Sequence, residues 1–311
     1  MIADFISIFS TDLIIATLGM ATPLIFGSIS GTFSERAGVI NLGIEGMMLM
    51  GAFGAGMVSL ITGNPWLGVL LGGLMGGLMG VIHAVMCIQF KANQSVVGVG
   101  INIMAAGIPA IILQFYWGNP GRTPLVNSID NISIPIISKI PILGPILGNL
   151  NPLTYMAFLL VAIAHLVIFH LPFGLRMRAV GNHPEAADTV GVNVYSVRYI
   201  CVITSGFLAG LGGAYLSVAQ LSMFCNGMTA GRGFIAMAAM IFGKRTPLGC
   251  LGAALLFGFS DALQMTLQAK GIPIATDFLL MIPYVLTMIT LAGFVGKTVD
   301  PAANGKPYIK G

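Results

Sequence analysis

Leu67-Gly-Val-Leu-Leu-Gly-Gly-Leu-Met-Gly-Gly-Leu-Met-Gly80 carries no charged residue and places Gly68, Gly72, Gly76 and Gly80 at every fourth position. On an α-helix these positions share a face, so the four glycines cut a smooth groove into which a neighbouring helix can approach closely, the ordinary way helices associate in a membrane. The apolar character continues on both sides, giving a stretch from Trp66 to Phe90 long enough to cross roughly 30 Å of hydrocarbon. The whole chain has the same character. Of its 311 residues 56% are hydrophobic and 8% charged, and the mean hydropathy is +0.94. A water-soluble domain of that composition would expose large apolar surface. The expected fold is therefore an all-α polytopic transmembrane helical bundle forming a single domain over residues 1–311, with polar connections too short to hold a separate catalytic domain.

Working outward, eight full spans and one short one are expected: Leu13–Phe33, Gly38–Ile61, Trp66–Phe90, Val96–Trp117, Leu153–Leu171, Tyr199–Gln220, the short Phe234–Gly243, Leu248–Leu267 and Phe278–Val295. Placing the N-terminus outside gathers Glu35-Arg36, Lys91, Arg176–Arg198, Lys244-Arg245 and Lys297–Lys310 on the cytoplasmic side, as the positive-inside bias requires. The bundle then covers 13–295, with a cytoplasmic loop at 172–198 and a cytoplasmic tail at 296–311. Asp4 and Asp12 precede the first basic residue, Arg36, unlike the basic start of a cleaved signal peptide, so the first span is expected to be retained. The long Gly118–Pro152 connection, with Pro135, Pro141 and Pro145, is expected to pack as irregular structure on the outer face. Pro65-Trp-Leu-Gly-Val-Leu-Leu-Gly72 weakly echoes Pro247-Leu-Gly-Cys-Leu-Gly-Ala-Ala-Leu-Leu-Phe-Gly258, and the two run in opposite directions in this topology. An inverted repeat of the transporter kind is one reading, chance likeness of Gly/Leu-rich spans the other.

A polar island interrupts the apolar pattern at Arg176-Met-Arg-Ala-Val-Gly-Asn-His-Pro-Glu-Ala-Ala-Asp-Thr-Val-Gly191. Asn182 suits a cap, Pro184 a first helical position and Gly191 a stop, while Ala186, Ala187 and Val190 fall on one face of the short helix so defined. Such a face fits a groove on another protein; a solvated linker is the alternative. Within the spans, Glu45 lies about two turns in, where a carboxylate costs a few kcal/mol unless paired or hydrated, and Asn41 is four residues earlier. These two are candidates for a solute path or for a buried packing contact. Asn93, Gln94 and Asn102 are further candidates for lining a hydrated path, the first two with a loop role as alternative; Asp261 poses the same question with less depth, and Asp277, at a span edge, is expected to be interfacial.

Other chemistries are not supported. Cys87, Cys201, Cys225 and Cys250 lack CxxC or ligand spacing and read as small hydrophobes. His165 and His170 are wrongly spaced for a helical metal pair, so no metal site is expected. Gly296-Lys297-Thr298 resembles the end of a phosphate loop, but Leu291 stands where the opening glycine belongs. No nucleophile and base arrangement presents itself, so no catalytic residue is assigned and an enzyme is not expected. The net charge of +4 sits in loops and tail and implies no nucleic acid.

Ser34-Glu-Arg-Ala-Gly-Val-Ile-Asn-Leu-Gly-Ile-Glu-Gly-Met-Met-Leu-Met-Gly-Ala52, the island from Arg178 to Val192, and Gly231-Arg-Gly-Phe-Ile-Ala-Met-Ala-Ala-Met-Ile-Phe-Gly243 closely resemble bacterial ABC-transporter inner-membrane permeases of the branched-chain amino acid, ribose and nucleoside family. The resemblance covers most of residues 20–295, and the Phe242–Gly249 run is most similar to purine-nucleoside uptake permeases. It implies a heteromeric importer in the bacterial cytoplasmic membrane: a second homologous permease chain, cytosolic ABC ATPases that hydrolyse ATP, and an external solute-binding lipoprotein. This chain itself would bind no cofactor. The island then becomes the coupling helix, with Arg178, Gly181, Asn182, Pro184, Glu185, Ala186, Ala187, Asp188 and Gly191 as its residues, and Ala187→Arg is expected to uncouple transport. Asn41 and Glu45 are nominated for the solute path, since a neutral nucleoside needs hydrogen-bonding partners more than charge. The alternatives are a permease of the same machine for ribose, other sugars or branched-chain amino acids, and an ion-coupled secondary transporter. The last would place paired ionisable groups at the midplane.

Overall fold

Asn64-Pro65, Asn93, Asn151-Pro152, Asn193 and Thr246-Pro247 each start a long helix, the Asn or Thr side chain accepting from backbone N–H groups of the first turn. Stops are equally local: Gly63 and Gly118 adopt left-handed φ of 70° and 63° and return their N–H to Ser59 and Gln114. The computed structural model describes residues 11–134, 143–271 and 300–309, with positions 278, 281, 285, 288 and 289 in addition. Its helices are α1 (Thr11–Arg36), α2 (Ile44–Thr62), α3 (Pro65–Ala84), α4 (Gln94–Trp117), α5 (Leu143–Leu147), α6 (Pro152–Phe169), α7 (Pro172–Asn182), α8 (Pro184–Thr189), α9 (Val194–Tyr215), α10 (Arg232–Phe242) and α11 (Pro247–Ala269). Helices α3 and α9 each run on into a five-residue π turn, Val85–Gln89 and Leu216–Gln220. Two-residue strands β1 (Ile132–Ser133) and β2 (Asn149–Leu150) pair antiparallel in the long connection, whose other described residues are irregular apart from α5; Pro135 and Pro141 lie outside the described residues.

Among the described residues seven helices are long and apolar enough to cross a membrane, and α10 is a shorter apolar helix. These match the expected spans, except that Phe278–Val295, with Asp277, lies almost wholly outside the described residues. The outward side chains of α4, including Val96, Ile103, Ile111 and Phe115, are exposed and apolar, a surface suited to lipid. Phe115, Tyr116 and Trp117 stack at its end as an aromatic belt would. The centre of the bundle is α9, packed against α3, α2 and α1. There the glycine groove does what its spacing predicts: a Cβ on Gly72 would lie 2.6 Å from the Gly51 carbonyl oxygen, and one on Gly80 2.9 Å from that of Val202. Backbone touches backbone, and dispersion accumulates along the seam.

The chain has two ends. At one, Glu35, Arg36, Arg178, Arg198 and Arg245 meet the tail: Arg36 Nε donates to the Arg245 carbonyl at 2.9 Å, and Arg198 Nη1 to that of Lys306 at 3.1 Å. The basic segments expected on one side thus come together; Lys297 and Lys310 fall outside the described residues. At the other end the long connection pairs with 218–225, Thr123 N–H donating to the Phe224 carbonyl at 2.9 Å and Val126 N–H to that of Ser222 at 2.9 Å. Helix α3 starts at this loop end, where Asn127 binds the Gly63 carbonyl, and α11 starts at the arginine end beside Arg245, so the two echoing segments do begin on opposite faces.

Two expectations need correction. The second span does not begin at Gly38: residues 37–43 are non-helical though mostly buried, because Gly38 sits at φ 85° and Asn41 Oδ1 captures the Gly43 N–H at 3.1 Å in a local turn that competes with the helix. The Leu221–Gly233 connection, expected among the loops of the outer side, turns partly inward. Phe224 is fully buried against Phe53 and Gly56, and the segment descends until Gly231 reaches Glu45 at the start of α2.

Candidate functional site: broken helices and an island bound to the tail

Two interrupted stretches meet inside the bundle, and side chains satisfy the backbone that helical hydrogen bonds leave free, as any non-helical backbone at membrane depth requires. His83 Nε2 lies 3.0 Å from the Ile40 carbonyl oxygen, and Gln94 Oε1 accepts from Ile40 N–H at 2.7 Å. Asn102 bridges the start of α2, accepting from Gly46 N–H at 2.8 Å and donating to the Leu42 carbonyl at 3.0 Å. Asn41 Nδ2 donates to Ser205 Oγ at 3.0 Å, and Ser205 is itself 2.9 Å from Ser30 Oγ. Asn93 caps α4.

Glu45 completes the arrangement from the first turn of α2. Its two carboxylate oxygens accept from Gly231 N–H at 2.8 Å and Gly233 N–H at 2.6 Å, at the start of α10. No side chain of its own segment caps α10, so a carboxylate from another helix supplies the cap and the charge that a helix N-terminus favours. The sequence requires glycine twice here: Gly231 has φ 84°, and a Cβ on Gly233 would lie 2.5 Å from Glu45 Cα. Asn41 and Glu45 do not share a helical face, because Asn41 precedes the first turn of α2 and takes other partners. All five residues nominated for the path, Asn41, Glu45, Asn93, Gln94 and Asn102, have backbone partners in the structure. Glu45→Gln puts an amide donor against a backbone donor and is expected to cost about 1–3 kcal/mol. Thermal unfolding of the purified protein in detergent checks this, and an unchanged midpoint would remove Glu45 from the role of cap.

The island folds as α7 and α8. Pro184 starts α8 and Gly191, at φ 84°, ends the turn after it, both as expected. Asn182 is not the cap: it is the last residue of α7, its Nδ2 donating to the Arg178 carbonyl at 2.9 Å, and His183 takes the cap position without a side-chain bond. Ala187 turns inward and is buried, whereas Glu185, Ala186, Thr189 and Val190 are exposed, so the expected apolar face splits. A six-residue helix lying on the bundle must give one side to it, and an arginine at 187 would disturb that contact rather than an outer surface.

Sequence reasoning missed the tail. Residues 300–309 lie across the island and the end of α1: Ala303 N–H donates to the Gly181 carbonyl at 3.0 Å, Gly305 N–H to that of Gly38 at 3.3 Å, and Tyr308 stacks against Tyr195. Desolvation, with a hydrogen bond to Asp188, holds the Tyr308 phenol above its ordinary pKa. The turn-forming Pro301 and Asn304-Gly305 were the available signal. Beside the tail, Arg245 joins Glu35 at 2.6 Å and Asp300 at 2.7 Å, while Arg36 and Arg178 each hold a guanidinium 5.4 Å from the Phe169 ring centroid. A cavity of about 230 Å³ separates the arginines from Asn182 and Pro301.

Residues 13–291 match the family model described as branched-chain amino acid transport system / permease component. The chain is 42% identical to the guanosine ABC transporter permease protein NupQ of Bacillus subtilis, with 99% of each chain covered. It is 42% identical to the nucleoside ABC transporter permease protein NupC of Lactococcus lactis, over 93% of this chain and 94% of the relative. A putative glucose ABC transporter permease protein of Haloferax volcanii, TsgC13, is 36% identical over 86% of this chain and 81% of its own. No solved structure matches. With the apolar bundle, the broken helices and full-length relatives in agreement, the chain belongs to the branched-chain amino acid transport system permease family, as a multi-pass membrane subunit of the ABC transporter kind.

Proposed function

We propose that this chain is the solute-conducting permease of an ATP-driven importer for nucleosides. The observation that carries the reading is end-to-end identity of 42% with a guanosine permease and near end-to-end identity of 42% with a nucleoside permease. In this reading the chain lies in the cytoplasmic membrane with its N-terminus outside, since the face gathering Arg36, Arg178, Arg198 and Arg245 is then inside. It pairs with a second, homologous permease chain, receives solute from an external lipoprotein, and is driven by cytosolic ATPases. It holds no nucleotide itself; ATP is hydrolysed by the partner.

The island is the coupling element of this proposal, and its partner-facing surface is Glu185, Ala186, Thr189 and Val190, flanked by Arg178, Asn182 and Asp188. Force arriving there passes into the bundle through Gly181, packed against the Arg36 carbonyl, and through the buried Ala187. Ala186→Arg combined with Val190→Asp is expected to lower uptake at least about tenfold, equivalent to about 1.4 kcal/mol of coupling, with the amount of protein in the membrane unchanged. Normal uptake by that variant would remove the island from the coupling role. The reading as a whole is tested by uptake of radiolabelled guanosine, adenosine, ribose and leucine in cells with and without the gene, under ATP depletion and under collapse of the proton gradient. ATP-dependent loss of nucleoside uptake supports it. Loss confined to ribose or leucine changes the cargo, and loss that follows the proton gradient alone overturns the ATP-driven machine.

A further inference from the structure

Close to the loop end, where α1, α6 and the π turn after α9 meet β2, lies a partly open cavity of about 240 Å³. None of its lining residues carries a charge, yet Asn131, Asn151, Thr154, Tyr215 and Gln220 all contribute. Their hydrogen bonds are unevenly committed. Asn151 is fully engaged, donating to the Ile129 carbonyl at 2.8 Å and accepting from Leu153 N–H at 3.1 Å. Thr154 accepts from the buried Thr22 Oγ1 at 3.0 Å, and the buried Tyr215 hydroxyl joins the same pair, so that Thr22 fixes from behind the two hydroxyls that line the wall. Gln220 Nε2 meets only the Met20 thioether, at 3.4 Å, which is a weak acceptor. Among the described residues nothing pairs with Gln220 Oε1 or with the Asn131 side-chain amide.

The π turn Leu216–Gln220 brings Ala219 and Gln220 to this wall, and single π turns inside longer helices recur at functional sites. The amides of half-buried Gln220 and exposed Asn131 line an uncharged hollow and each offer N–H donors beside a carbonyl acceptor, the chemistry that reads a neutral heterocycle. A volume below the roughly 300–1,000 Å³ of ordinary ligand pockets limits the guest to one small molecule. We propose that this cavity is a solute subsite on the conduction path for a nucleoside, with Gln220 and Asn131 as specificity-determining residues and the Thr154 and Tyr215 hydroxyls, held by Thr22, as the rigid wall. The proposal rests on the nucleoside reading above and adds to it the place where the solute pauses.

The test uses the complete transporter in membrane vesicles. Gln220→Cys, in a Cys225→Ser background, is labelled with a maleimide with and without guanosine, ribose or leucine, and Gln220→Ala and Asn131→Ala are assayed for uptake. Guanosine is expected to slow labelling about fivefold while ribose and leucine do not. Each alanine variant is expected to lower guanosine uptake about tenfold at unchanged membrane abundance, the effect of one hydrogen bond lost to a bound solute. If the unmodified transporter takes up guanosine but labelling is not slowed and both alanine variants transport normally, the subsite is wrong and the nucleoside reading stands. If ribose alone protects Gln220→Cys, the cavity is a sugar site and the assignment to a nucleoside is overturned. If the unmodified transporter takes up no nucleoside at all, the reading beneath the proposal fails first.

Discussion

Gly210→Leu is expected to prevent the bundle from assembling. A Cβ on Gly210 would lie 2.5 Å from the Gly72 carbonyl oxygen and 3.0 Å from Gly76 Cα, so the obstacle is backbone on a facing helix and not the yielding end of a side chain. Gly206 and Gly213 repeat the condition on the same helix, against α3 and α2 respectively. Overpacking a core costs about 1–3 kcal/mol where neighbours can move; here the obstacle is the backbone of α3, from which α9 would have to separate, and a loss beyond about 3 kcal/mol follows. Gly107→Leu is the control, because a Cβ there meets nothing within 4 Å and the position is exposed on α4. Monodispersity and thermal unfolding in detergent should distinguish the two variants sharply. A Gly210→Leu protein as stable as the control would mean that the glycine groove is not the centre of the fold.

Arg245→Ala is the second large effect expected. Glu35 is 4% exposed and Arg245 5%, and the 2.6 Å bond between them closes the end of α1 onto the turn between α10 and α11. Arg245 also reaches Asp300, but that carboxylate is largely in solvent and its attraction is screened, so the stabilising partner is Glu35. Removing the guanidinium leaves a buried carboxylate with Asn304 Nδ2, at 3.5 Å, as its remaining neighbour, a loss of about 3–5 kcal/mol. Replacing both partners, Glu35→Leu with Arg245→Leu, is expected to restore much of the stability, because the penalty comes from the orphaned charge. A double variant no more stable than Arg245→Ala would show that the ion pair specifies the fold in some further way.

Much of the architecture was legible before any coordinates. The glycines at 68, 72, 76 and 80 and the clustering of arginines in alternate connections are local or periodic signals and appear where expected, and the Asn or Thr caps before Pro65, Pro152 and Pro247 are equally local. Pro184 and Gly191 bounded the island correctly for the same reason. Asn182 misled because a side chain that can cap a following helix can equally bond back to the turn before it, and Arg178 offered the nearer carbonyl. Glu45 was recognisable as a carboxylate needing a partner. Its partners are backbone N–H groups at Gly231 and Gly233, which leave no side-chain signature.

The sequence by itself determined the solvent, the helical class, the positions of most spans and the glycine seam, because these depend on composition, on a period of about four residues and on caps reached within one turn. The tertiary structure alone decided that residues 37–43 run unwound through the interior and that 221–231 descend from the loop end to Glu45, that Glu45 caps a helix almost two hundred positions away, that Ala187 faces inward and that the tail binds the island. Each of these depends on which backbone groups are left without a helical partner and which distant side chain or segment can reach them, and that is settled only when the helices have packed.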